Sequence, residues 1–236
     1  MNYLVIAQFG FFLLTIICLL FIDKGIQVGS QALANGKQIQ HRYRIGMLSW
    51  FAMLAILSLS GFISDFTSFP PKMGIVLMVP LISLILIFRS TNLDAILVNI
   101  PPQWLLYIQF FRVPVEIFLW FLFLDGALPE RMTFEGYNFD ILAGITGPLF
   151  AYYCFSGTSL RKTILRVWNI SCLLLLFNIV SIALFTLPTP FQYFTAEDNT
   201  IVTTFPIVLL PGILVPIAYY MHFFSLRQIR LLTPKA

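Results

Sequence analysis

In the run FFRVPVEIFLW (110–120), Arg112 and Glu116 stand one helical turn apart among phenylalanine, valine, isoleucine, leucine and tryptophan. At i, i+4 both side chains share one helical face and can pair, although arginine on the N-terminal side is the weaker order. At mid-membrane each charge costs roughly 2.5–3.5 kcal/mol on insertion scales, so ionisable residues in such a place are read first as functional. The available chemistry is that of an anion clamp. Arg112 would hold an anionic group, while Glu116 balances its charge or carries a proton. The blander reading is a buried ion pair that fixes helix packing. Pro114, between them, removes a backbone donor, frees the carbonyl of Phe110 and favours a kink.

Other polar residues could join this centre. Asn169 and Asn178 share one apolar run, with Gln109 beside Arg112 and Gln8 near the N-terminus. An asparagine between membrane helices is most often interhelical glue, but Asn178 falls near mid-depth and is grouped with Arg112. The stretch DGALPERMTFEGYNFD (125–140) is the most polar on its side of the chain. Its Glu130, Arg131, Glu135, Asn138 and Asp140 could form a mouth or a binding site. The candidate substrate-binding set is therefore Arg112, Glu116, Asn178, Glu135 and Asn138. A paired-carboxylate enzyme would need Glu130 and Glu135 to converge, and Asp140 also suits the N-cap of the next helix. His41 and His222 map near one face, where two helical histidines can ligate haem iron. No short ligand spacing accompanies them, so no metal and no cofactor is expected, and His222 is given a structural role.

The elements that must position these groups follow from composition. The chain is 59% hydrophobic and 10% charged, with 25 phenylalanines among 236 residues, whereas soluble domains are about a quarter charged. Too few charges exist to cover that much apolar surface in water, so the expected class is an all-α integral membrane bundle. Apolar runs near the ~20 residues that a crossing needs occur at 3–22, 46–64, 71–88, 103–124, 141–157, 167–187 and 201–224, one transmembrane domain of seven spans. Counted from Trp104 at about 1.5 Å per residue, Arg112 lies about 12 Å and Glu116 about 18 Å into a hydrocarbon layer about 30 Å thick. The last run, FPIVLLPGILVP, spaces Pro206, Pro211 and Pro216 five residues apart. That helix should be broken, a feature of transporters whose freed backbone lines a cavity.

Lysine and arginine placement sets the orientation. Lys24, Lys37, Arg42, Arg44, Arg89, Arg161, Lys162, Arg166, Arg227, Arg230 and Lys235 fall in segments of one side, against Lys72 and Arg131 on the other. This predicts the N-terminus outside and the C-terminus in the cytoplasm. Acidic residues show the reverse bias. The first run has no basic residue before it and no small-x-small site after it, so it reads as a retained helix. The net charge of +4 is sorted by membrane side rather than gathered in a patch, which argues against a nucleic-acid partner. The expected partners are the bilayer and a small-molecule or ion substrate. Cys18, Cys154 and Cys172 lie in apolar runs without CxxC or finger spacing, so neither a disulfide framework nor a zinc site is expected. GxSxG, HExxH, GxGxxG and Walker patterns are missing. The last run also holds no lysine for a retinal Schiff base.

The stretches MTFEGYNFDI (132–141), PTPFQYF (188–194) and HFFSLRQI (222–229) together resemble an uncharacterised family of bacterial multi-pass inner-membrane proteins. The likeness runs from about the fourth span to the C-terminus. It implies a bacterial inner-membrane location and brings no activity, substrate or cofactor. The leading expectation is a small-solute or ion transporter-like protein with Arg112 and Glu116 at its polar centre. The alternatives are an intramembrane enzyme acting on a lipid or isoprenoid, and a structural or accessory subunit. A water-accessible cavity reaching Arg112 would mark the first, and convergent acid/base groups open to lipid the second. A pair sealed between helices would mark the third.

Overall fold

The structure is a computed structural model that describes residues 2–156, 160–195 and 197–232. Gly157 and Lys235, counted above in a span and among the cations, lie outside the described residues. Those residues form helices α1 (Tyr3–Ser30), α2 (Gly36–Leu59), α3 (Gly74–Phe88), α4 (Asn92–Asn99), α5 (Trp104–Tyr107), α6 (Arg112–Leu124), α7 (Ile141–Phe155), α8 (Lys162–Thr186) and α9 (Val215–Leu231), with no strand among them. A tight turn at Ile108–Phe111 joins α5 to α6 in one rod. Three stretches are long and apolar enough to cross a membrane: α1, the α5–α6 rod and α8. A fourth is added if α3 and α4, bent by 86° at their junction, count as one broken span.

The helices depart from the apolar runs where charge and backbone chemistry diverge. The second begins at Gly36 rather than 46, because Lys37, Arg42 and Arg44 end a hydrophobic run but are good helix formers. The seventh stretch opens as a tight turn at Thr200–Thr203 and widens into a π turn at Leu210–Leu214. It is regular α-helix only from Val215, running on to Leu231. Three prolines that withhold N–H donors account for the irregular half.

Helix α9 lies at the centre, against α3, α4, α5 and α8, while α1 packs on α2, α4 and α6. Helix α7 closes on the α5–α6 rod through glycine. A Cβ at Gly144 would stand 2.9 Å from the backbone nitrogen of Val113, and one at Gly147 would stand 2.8 Å from the carbonyl oxygen of Leu106. Small residues that let backbones meet are a device of membrane helix packing. Gly144→Val and Gly147→Val should therefore lower the thermal midpoint in detergent sharply. Gly74→Ala, whose Cβ would meet nothing within 4 Å, should leave it unchanged.

The loop between α2 and α3 is stapled by Asp65, which accepts from Lys72 Nζ at 2.6 Å and from the Thr67 backbone and hydroxyl at 3.0 and 2.7 Å. The lysine hydrogen bond, then those from Thr67, hold the carboxyl down to about 2. A depressed carboxylate supports the loop above the ordinary aspartate value of about 3.9 and releases it as pH falls from there toward 2. Lys72→Gln should raise the Asp65 titration toward the ordinary value, read by carboxyl carbon NMR.

Candidate functional site

The head of α7 sits beside Arg112 because Gly144 admits the start of α6. Asp140 occupies the N-cap position of α7, yet its side chain makes no cap hydrogen bond. Its carboxylate instead takes the guanidinium side-on: Arg112 Nε donates to Oδ2 at 2.6 Å, and Nη2 donates to Oδ1. Asp140 is thus the N-cap residue by position, as the sequence suggests, with its side chain spent on Arg112, and this pair replaces the expected Arg112–Glu116 one. A planar bidentate carboxylate is the stronger partner for a guanidinium, and an arginine N-terminal to its glutamate is the weaker helical order. The α7 macrodipole adds favourable positive potential at the same carboxylate.

The third face of Arg112 meets α9. Its Nη1 lies 2.9 Å from His222 Nε2, and His222 Nδ1 lies 2.9 Å from Asn169 Oδ1 on α8. The Asn169 amide nitrogen donates to the Leu165 carbonyl at 2.8 Å and to Ser225 Oγ at 3.0 Å, which turns its oxygen toward the histidine. His222 is thus assigned as the neutral Nδ1–H tautomer, with Nε2 accepting from the arginine. On the opposite flank Asn138 Nδ2 donates to both oxygens of Glu116, at 2.8 and 2.7 Å, and to the Met132 carbonyl at 3.0 Å. The Asp140 backbone N–H donates to Asn138 Oδ1 at 3.0 Å, closing the turn that aims both side chains inward.

The result is one buried chain of polar groups through α6, the loop before α7, α9 and α8, in which Arg112 and Glu116 are each 1% exposed. Of the five candidate residues, Arg112, Glu116 and Asn138 come together here. Asn178 does not: it donates to the Tyr137 carbonyl at 2.8 Å and pins the outer loop to α8. Glu135 is exposed on that loop, away from the network. Asn169, named from the sequence as able to join this centre, and Asp140, named in the outer loop, complete the network with His222, although none was in the five-residue set. The available signal was a pattern: Asn138 and Asp140 two residues apart at a helix start, and a histidine within an apolar helix. No three histidine, cysteine, aspartate or glutamate side chains gather to hold a metal ion among the described residues.

A second feature lies on a different face of α9. A cavity of about 600 Å³ is enclosed by α1, α2, α3, α4, α5 and α9, with Arg42 its one charged lining residue among those described. None of the Arg112 network lies on this wall. Its roof is the π turn, where Pro216 cannot donate to the Gly212 carbonyl one turn back. The Trp50 indole supplies the missing bond at 2.8 Å. Across the cavity, Ser83 Oγ donates to the Pro80 carbonyl at 2.9 Å and the Tyr220 hydroxyl bonds the same oxygen. The short helix α4 turns beneath as a floor, tied to α9 by Gln228 Nε2 on the Ile100 carbonyl at 2.9 Å and by Arg227 on Asp94 at 2.6 Å.

No family model, curated protein or solved structure matches the chain. Its chemistry is therefore read from these two features alone.

In the network, every donor of Arg112 with a partner is spent on protein. Arg112→Ala should lower stability by roughly 3–5 kcal/mol, since it strands a buried carboxylate. Arg112→Met combined with Asp140→Leu should recover much of that loss, because an apolar pair can replace a buried ion pair at little or no cost. Equilibrium unfolding of the single and double variants in one detergent checks both values.

Proposed function

We propose that the protein is a multi-pass inner-membrane protein, transporter-like, that takes a lipid-class molecule into the cavity beside α2. The carrying observation is the cavity itself: about 600 Å³, lined almost wholly by apolar side chains, and within the ~300–1,000 Å³ range of ligand sites. In this reading the chain crosses seven times, through α1, α2, α3, the α5–α6 rod, α7, α8 and α9. Its N-terminus is outside and its C-terminus cytoplasmic, as the lysine and arginine placement favours. Helix α4 then lies along the cytoplasmic face.

The cavity favours a long apolar ligand over a small hydrophilic solute. An aqueous route to Arg112 is not supported, because the side chain is buried and each of its nitrogens already bonds Asp140 or His222. An enzyme is less favoured than a binder or carrier, because the wall presents no carboxylate and no histidine among the described residues, and general acid–base chemistry needs such a group in reach. A membrane scaffold is the second reading, and the sealed Arg112 network favours it.

Gly46 separates the two. It is on the cavity wall, and a Cβ there would meet nothing within 4 Å. Gly46→Phe should narrow the cavity from a position where a Cβ meets no neighbour, and remove a helix-weakening glycine. The expected outcome is loss of co-purifying lipid in native mass spectrometry, with an unchanged or raised thermal midpoint. A wild-type protein that carries no lipid, or a variant that carries as much as wild type, would establish the scaffold instead.

A further inference from the structure

We infer that the cavity is selective for an anionic phospholipid, whose headgroup phosphate is held by Arg42 while its chains fill the apolar interior. This rests on the lipid-binding reading above and names the ligand class. On α2 the wall residues are Ile39, Arg42, Tyr43, Gly46, Met47 and Trp50. They fall at i, i+3, i+4, i+7, i+8 and i+11, one continuous helical stripe. The Arg42 guanidinium lies in the first turn of the stripe, after Ile39, and the Trp50 indole closes it at the other end. A headed, tailed molecule has the same division.

Charge complementarity chooses the head. The other cations near that end are engaged or off the wall: Arg44 pairs with Asp23 at 2.8 Å, Arg227 with Asp94 at 2.6 Å, and Lys24 donates to Gln27 at 2.9 Å. Lys37, His41 and Arg89 are exposed but do not line the cavity. Arg42 lines it and has no hydrogen bond or ion pair among the described residues. The α3–α4 bend adds Ser90 and Asn92 to the same cavity lining, which offers neutral polar groups beside the one cation and no carboxylate among the described residues. The Asn92 side chain is half-buried and likewise has no hydrogen bond among the described residues. A guanidinium with amide and hydroxyl groups suits a phosphodiester, and the arginine stem can lie along apolar surface while its head stays polar.

The wall also supplies its own reporters, Trp50 and Trp104. The test reconstitutes the full chain in vesicles that carry brominated phosphatidylglycerol or brominated phosphatidylcholine in an unbrominated background, and follows tryptophan quenching. Wild type should prefer the anionic lipid, and Arg42→Gln should lose about fivefold of that preference, the worth of one basic residue at an anionic surface. It should retain quenching by both lipids. Arg89→Gln, an exposed cation off the wall, should keep the wild-type preference. Glycerol 3-phosphate, a head without tails, should not reverse the quenching.

Equal preference in wild type for the two lipids, equal losses in Arg42→Gln and Arg89→Gln, or reversal by glycerol 3-phosphate would each overturn the inference. None of these would remove the cavity reading. That reading fails separately, if Gly46→Phe leaves quenching by both lipids unchanged because the reporters see only lipid around the protein.

Discussion

In a bilayer interior each backbone and side-chain polar group has to find its partner within the protein. The Arg112 guanidinium is the largest such demand in this chain, and much of one side is arranged around it. Asp140 meets it in the plane, His222 meets it from α9, and Asn169 holds the histidine ring in turn. The Gly144 close approach brings α7 near enough for the carboxylate to reach. Asn138 folds the preceding loop so that one side chain serves Glu116 and orients Asp140. Remove any one of these, and a charged or polar group is left facing hydrocarbon.

The same rule explains the irregular helices. A helix proline withholds a donor and exposes the carbonyl one turn back, and at Pro216 a side chain from another helix answers it. Trp50 does so for Gly212. Elsewhere Ser83 of α3 and Tyr220 of α9 both bond the Pro80 carbonyl. These bonds tie α2 to the π turn and α3 to α9, so the breaks that disturb local helix geometry become the points of tertiary attachment.

How much of this could be read beforehand depended on whether a property was local. The membrane character and helical class follow from composition alone. That a polar centre existed near Arg112, Glu116 and Asn138 was legible too, because charges in an apolar run are conspicuous. Its partners were not, since Asp140 and His222 are 28 and 110 residues away in sequence from Arg112. A carboxylate at a helix start and a histidine in an apolar helix each have a sufficient local explanation. The start of α2 was missed because hydropathy registers lysine and arginine as an end, whereas helix propensity does not. The cavity left no signal, because an apolar stripe facing a cavity and one facing lipid have the same composition. Only the position of Arg42 within the stripe set it apart, and that needs the opposite wall to be known.

Polar bonding therefore divides the molecule into unequal parts. Around α6, α7, α8 and α9, one continuous network crosses several helix interfaces, and any relative movement would break a buried charged bond. Helix α2 is held differently. Near its start it grips α1 through Arg44 and Gln40 on Asp23, and near its end Ser58 reaches the Thr203 carbonyl at 2.6 Å. Between these ends it packs on α1, is tied to the π turn by Trp50, and leaves the cavity between itself and α3. Neutral hydrogen bonds and apolar contacts are cheaper to rearrange than a buried guanidinium–carboxylate pair. In the proposed reading, admission of a long apolar ligand needs a wall that yields, and the bonds that hold α2 are neutral or solvent-exposed ones. The Arg112 centre is then the fixed frame, and in the proposed reading the largely apolar groove beside it, with its one guanidinium, takes the ligand.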